Sequence, residues 1–79
     1  MTFPGLWALR AELKADAGDY KTSLRDIERA TKLAPESGLF FLEAAKIAEL
    51  AGHSEQAESY REKGKTLLGR FGPLAEANL

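Results

Sequence analysis

Apolar residues recur along this chain at helical spacing, and short turn signals divide them into separate stretches. We predict helices at about 4–17, 20–33, 38–51 and 54–68, with a helical stub at 73–79. These stretches are rich in Ala, Leu, Glu, Lys and Arg, which favour helices. No segment alternates apolar and polar residues over the length of a strand. The pattern therefore predicts an all-α fold.

The apolar stripes differ in width from one predicted helix to the next. They include Trp7, Ala11 and Leu13 in the first helix, Tyr20, Leu24, Ile27 and Leu33 in the second, and Ala57, Tyr60, Gly64 and Leu67 in the fourth. The third, 38–51, is apolar over most of its circumference. A helix of that kind packs against neighbours on more than one side. We therefore expect 38–51 to lie between two other parts of the fold.

Single residues indicate where helices begin and where they come close. Asp19, Ser37 and Ser54 each stand at the start of a predicted helix, where a side-chain oxygen can cap free backbone N–H groups. Gly64 lies inside the fourth predicted helix, where glycine costs about 1 kcal/mol relative to alanine. We expect another backbone to approach closely at Gly64.

A shift of the sequence by 34 residues brings similar residues into register. Trp7 falls on Phe41, Ala11 on Ala45, Gly18 on Gly52, Ser23 on Ala57, Ala30 on Gly64 and Leu33 on Leu67. Large residues match large ones, small match small, and the turn glycines coincide. The 79 residues are thus predicted to form a single domain of two helical hairpins, about 4–37 and 38–71, followed by a capping or truncated helix at about 72–79.

A helical hairpin of this length and residue order resembles the tetratricopeptide repeat (TPR). Trp7 stands at the family's aromatic position, Ala11 at its first small position and Pro35 at its closing proline. The resemblance implies tandem antiparallel helix-turn-helix hairpins, stacked as a short right-handed solenoid. Departures from the family pattern occur at Arg10, Lys14, Arg61, Gly64 and Gly69.

The resemblance also implies where a partner would bind. In TPR proteins the first helices of successive hairpins line a concave groove that receives a peptide or a partner helix. The matching positions here are Ala8, Glu12, Asp16, Leu39, Leu42, Glu43, Lys46 and Glu49. Their carboxylates favour a basic or amide-rich segment. The alternative is that Leu39, Leu42 and Leu50 only pack against neighbouring helices. Positions that grip a C-terminal carboxylate in some family members hold no cation here, so a chaperone-tail clamp is not expected.

Composition removes several classes of function. Eleven basic and twelve acidic side chains show no cationic excess of the kind that nucleic-acid binding needs. The chain has no cysteine, and its one histidine, His53, lies in a predicted turn without further metal ligands. No stretch approaches the ~20 apolar residues of a membrane span. We expect a cytoplasmic protein without cofactor, metal, nucleic acid or membrane partner.

Two hypotheses of function follow. The first is a scaffold or adaptor that binds another protein or peptide and has no enzymatic activity, since no nucleotide-binding or nucleophile motif occurs. The second is a self-associating assembly unit, or a fragment of a longer TPR array, because roughly three or more repeats are usually needed for stability. The second hypothesis predicts a homo-oligomer, formed end to end or by exchange of the last helix.

Overall fold

The computed structural model describes residues 3–69, and these residues form four α-helices and no strand. Helix α1 spans Pro4–Asp16, α2 spans Tyr20–Leu33, α3 spans Gly38–Leu50 and α4 spans Ser54–Leu68. Each bound lies within one residue of its prediction, which confirms the all-α class. The stub predicted at 73–79 lies outside the described residues. None of the four helices is both long and apolar enough to cross a membrane.

Side-chain caps start two of the helices. Asp19 accepts a hydrogen bond from the backbone N–H of Thr22 at 3.2 Å. Hydrogen bonding by the side chain of Thr22, followed by that of its backbone N–H, lowers the pKa of Asp19. Ser37 likewise accepts from the N–H of Phe40 at 3.3 Å. The predicted cap at Ser54 is wrong. His53 is the N-cap residue, since its carbonyl accepts from Ala57 N–H, and its side chain makes no capping bond.

Helices α1 and α3 end in the same way, 34 residues apart. Gly18 and Gly52 have φ angles of 83° and 84°, a left-handed conformation that glycine adopts without steric cost. The next residue in each case bonds back to the last turn: the N–H groups of Asp19 and His53 donate to the carbonyls of Lys14 and Ala48, both at 2.8 Å. These are two Schellman motifs. The repeat in the sequence is therefore a repeat of backbone geometry.

The first hairpin is held where small residues of α1 and α2 meet. The hydroxyl of Ser23 donates to the carbonyl of Ala11 at 2.6 Å, and neither residue is accessible to solvent. Nearer the start of α1, the guanidinium of Arg29 lies over the ring of Trp7, 4.7 Å from its centroid. These contacts pair early residues of α1 with late residues of α2, so the two helices run antiparallel.

The second hairpin repeats these contacts with different side chains. Ala45 and Ala57 are buried at the positions of Ala11 and Ser23. The ammonium of Lys63 lies 5.1 Å from the centroid of the Phe41 ring, as Arg29 lies over Trp7. Phe41 and Trp7 therefore occupy equivalent environments, both beneath a cation from the second helix of their hairpin.

Glycines bring α3 and α4 closest together. A Cβ atom added at Gly38 would lie 2.9 Å from the carbonyl oxygen of Gly64 and 2.7 Å from Cγ of Leu68. A Cβ atom at Gly64 would in turn lie 2.8 Å from Cδ2 of Leu42 and 3.1 Å from the carbonyl oxygen of Gly38. The predicted close approach at Gly64 is confirmed, and its partner is the first residue of α3.

Helix α3 lies in the middle of the fold, as its broad apolar surface predicts. It packs against α4 on one side and against α2, with a smaller contact to α1, on the other. Six of its thirteen residues are buried, and they are Gly38, Phe41, Ala44, Ala45, Ile47 and Ala48. The core is thus continuous from the first hairpin to the second.

Two residues assigned by periodicity to the apolar stripes of the first and second predicted helices are exposed instead. Leu13 is 61% exposed and Leu33 is 50% exposed. Leu13 follows Ala11 by two residues, which is about 200° around the helix, so it faces away from the buried side. Leu33 likewise lies across α2 from Ile27 and Thr31.

We expect Gly38→Ala to destabilise the protein by about 1–3 kcal/mol, the cost of forcing an extra methyl group into a packed site. Gly5→Ala is the control, because nothing lies within 4 Å of a Cβ atom there. Its stability should be unchanged or raised by up to about 1 kcal/mol. Urea denaturation measures both. A Gly38→Ala variant as stable as the wild type would contradict the close approach of α3 and α4.

Candidate functional site

An open groove of about 510 Å³ lies between α1 and α3. Its lining residues are Ala8, Glu12, Leu39, Phe40, Leu42, Glu43 and Lys46. Six of the eight predicted groove residues are among them, so positions chosen from the sequence do converge on one depression. Phe40 is the member that the sequence did not indicate. It packs partly against the core, and its remaining surface closes one side of the groove.

A second depression of about 310 Å³ continues along α3. It shares Leu42 and Lys46 with the first and adds Ala45, Glu49, Leu50 and Arg61. Glu49 is thereby placed beside the same surface. Asp16 lines neither depression, although its charge acts on Glu43.

Arg61 is a functional candidate that sequence reasoning missed, because the predicted groove used only the first helix of each hairpin. Its guanidinium reaches from α4 to Glu49 of α3 at 3.4 Å and to Glu58 at 2.9 Å. One feature of the sequence could have indicated Arg61: it is a cation at a position where the TPR pattern has a bulky apolar residue. The ion pair partly neutralises Glu49, so the negative charge of the groove is concentrated nearer α1.

The leucines of the groove differ in how much surface they leave free. Leu39 is 69% exposed, and packing within the described residues does not account for it. Leu50 is also more than half exposed. Leu42 is half-buried, and its side chain lies close to Gly64 of α4. The packing alternative therefore applies to Leu42 in part, whereas Leu39 and Leu50 present apolar surface to solvent.

Carboxylates from two helices meet at the centre of the groove. Burial raises the pKa of Glu43, and the negative charge of Glu12 raises it further, together with a hydrogen bond between the two carboxyl groups. Asp16 adds a smaller effect of the same sign, and Lys46 opposes it. Two carboxyl groups therefore disfavour the charged form of Glu43, and one nearby ammonium group opposes them. The groove is a place where an added cation would be stabilised.

No family model, no curated protein and no solved structure matches this chain significantly.

We expect Glu43→Gln to raise the stability of the protein at pH 7 by about 0.5 kcal/mol, a modest value because solvent screens partly exposed charges. The raised pKa means that ionised Glu43 costs more in the folded than in the unfolded chain. That cost is present above the raised pKa and disappears as the pH falls toward the ordinary value of 4.5.

Urea denaturation at pH 7 and pH 4.5 measures this difference. The advantage of Glu43→Gln over the wild type should shrink at the lower pH. Glu62→Gln, an exposed change on α4, is the control and should show no such advantage. Equal stability of the wild type and Glu43→Gln at both pH values would contradict a raised pKa of Glu43 in the folded chain.

Proposed function

We propose that this chain is a TPR-type interaction module whose groove between α1 and α3 binds a peptide or helix of another protein. The observation that carries the proposal is the meeting of exposed apolar surface and mutually repelling carboxylates at one depression. Isolated exposed leucines are common on protein surfaces. Leu39, however, lies in the same groove as Glu12 and Glu43, whose negative charges Lys46 only partly balances.

The repeated packing supports a TPR-type arrangement. Helix starts, Schellman turns, small-residue contacts and cation–ring contacts all recur after 34 residues. Such hairpins stack because each leaves an apolar face that its neighbour covers. The stack we propose is right-handed, with α1 and α3 on its concave side.

The chemistry of the groove indicates the kind of partner. A lysine or arginine side chain placed between Glu12 and Glu43 would replace repulsion by attraction, and it would do so best when water is excluded around it. Leu39 and Leu42 would hold apolar residues of the same segment. The partner segment is therefore amphipathic, with a basic residue beside aliphatic ones.

Binding accounts for these carboxylates better than catalysis or nucleic-acid recognition. Glu12 and Asp16 are exposed to solvent, which does not shield them as an acid–base pair requires. The negative groove would also repel phosphates. We propose a cytoplasmic location for the module.

Two synthetic helical peptides that differ at one position test the proposed function. The first carries an arginine flanked by leucines, and its twin carries glutamate in place of the arginine. We expect the arginine peptide to shift the NMR signals of Leu39, Leu42 and Glu43, and the glutamate twin to leave them unchanged. Glu43→Lys should weaken binding of the arginine peptide about tenfold, which corresponds to about 1.4 kcal/mol.

The control is Glu62→Lys, which makes the same charge change on the exposed side of α4. It should leave binding within about twofold of the wild type, since surface charges at a distance are screened. Equal binding of both peptides, or equal weakening by Glu43→Lys and Glu62→Lys, would exclude the groove as a site for basic segments.

A further inference from the structure

Helix α1 exposes a stripe of leucines that the groove does not use. Leu6, Leu9 and Leu13 are 59%, 53% and 61% exposed. They are three and four residues apart, so they lie along one side of the helix. That side is opposite to the buried residues Ala11 and Ala15. We call these three residues the α1 leucine stripe.

The repeat shows what such a side of the helix does elsewhere in this molecule. The residues 34 positions after Leu6, Leu9 and Leu13 are Phe40, Glu43 and Ile47, of which Glu43 lines the groove. Ile47 is 1% exposed and Phe40 packs against the core, because the first hairpin covers this side of α3. The same side of α1 has no neighbour within residues 3–69. It is therefore a helix-packing surface that is left open.

The opposite end of the stack has a different chemistry. Helix α4 exposes one large apolar residue, Leu68, at 37%. The other exposed positions of α4 are polar or charged, and they include Glu55, Glu58, Glu62, Lys63 and Lys65. End-to-end stacking would place the α1 leucine stripe against these charges. Burying them against leucine is costly, so the stripe does not fit α4 of another copy.

We propose that two copies of this chain pair through the α1 leucine stripe, with the two α1 helices side by side and parallel. The stripe is self-complementary, because leucines three and four residues apart can interdigitate across a two-fold axis as in a short coiled coil. Pairing covers the apolar side of both copies at once. This pairing goes beyond the proposed function of the groove: the leucines of the stripe lie outside the groove, although Glu12 at the edge of the stripe also lines it.

Charges beside the stripe select the parallel orientation. At about 100° per residue, Arg10 lies along one edge of the stripe and Glu12 and Asp16 along the other. In a parallel pair the basic edge of each copy faces the acidic edge of the other. In an antiparallel pair the acidic edges would face each other, and like charges would repel. The side chain of Arg10 is 54% exposed although its Nε lies 3.1 Å from Asp26. Its guanidinium can therefore contact Asp26 of its own chain and the acidic edge of the second copy.

The dimer should be weak. Three exposed leucines in each copy form a contact smaller than the ~800 Å² per partner of a standard stable interface. We expect a dissociation constant between about 10 µM and 1 mM, because a small contact must offset the loss of freedom on association.

Sedimentation velocity of the full chain, from about 10 µM to 1 mM, tests the pairing. The average mass should rise toward that of a dimer in the wild type. Leu9→Glu should remain monomeric over the whole range, because it would bring two carboxylates together in the apolar contact. Leu33→Glu is the matched control, since it makes the same change at an exposed leucine of α2 that belongs neither to the groove nor to the stripe. It should associate like the wild type. Circular dichroism should show wild-type helicity for both variants.

Disulfide cross-linking tests the orientation without background, because the chain has no cysteine. In a parallel pair, Leu6→Cys should form a disulfide with Leu6→Cys of the second copy, and Leu13→Cys likewise. Cross-linking only in a mixture of the Leu6→Cys and Leu13→Cys chains would overturn the parallel orientation. A wild type that stays monomeric at 1 mM would overturn the dimer. A peptide of residues 19–34 tests the other possible occupant, because α2 covers the equivalent side of α3 in the fold. If the chain is monomeric and the peptide shifts the NMR signals of α1, the stripe binds a helix that resembles α2, and the dimer is again overturned.

Discussion

The packing of α3 on two sides is the constraint on which the rest of this structure depends. A chain of this size buries only about 60% of the surface that its unfolded form exposes, so neither hairpin has a large core of its own. Helix α3 joins the two hairpins into one core, with Ala44 and Ile47 facing the first hairpin and Gly38 touching α4. Residues with little or no side chain make the close contacts possible. The groove exists because α3 is held beside α1 in this way.

The two hairpins share backbone packing but fill one equivalent site differently. In the first hairpin, Arg10 reaches Asp26, whose side chain is almost buried. In the second, the corresponding residues are Ala44 and Tyr60, and the Tyr60 ring lies 6.2 Å from that of Phe41. An arginine suits α1, where one side of the helix is open to solvent. Alanine suits α3, where the same position is covered.

Much of this arrangement could be predicted from the sequence, because periodicity and glycine placement act locally. The helix bounds, the central position of α3 and the tight contact at Gly64 all followed from such patterns. The prediction from periodicity was wrong where a leucine was assigned to the core for its residue type alone, as at Leu13, which faces solvent. It also could not reveal that Glu43 and Glu12 repel each other. That interaction depends on the separation of two helices in space, which sequence spacing does not encode.

Amide hydrogen exchange, measured residue by residue on the dilute monomer, tests the central position of α3 most directly. If α3 is packed on both sides, the amides of Ala44, Ala45, Ile47 and Ala48 open only when the whole chain unfolds, and they exchange most slowly. Amides of α1 should exchange faster, since one side of that helix is open. Exchange of the α3 amides at the same rate as those of α1, or with separate opening free energies for the two hairpins, would contradict this account.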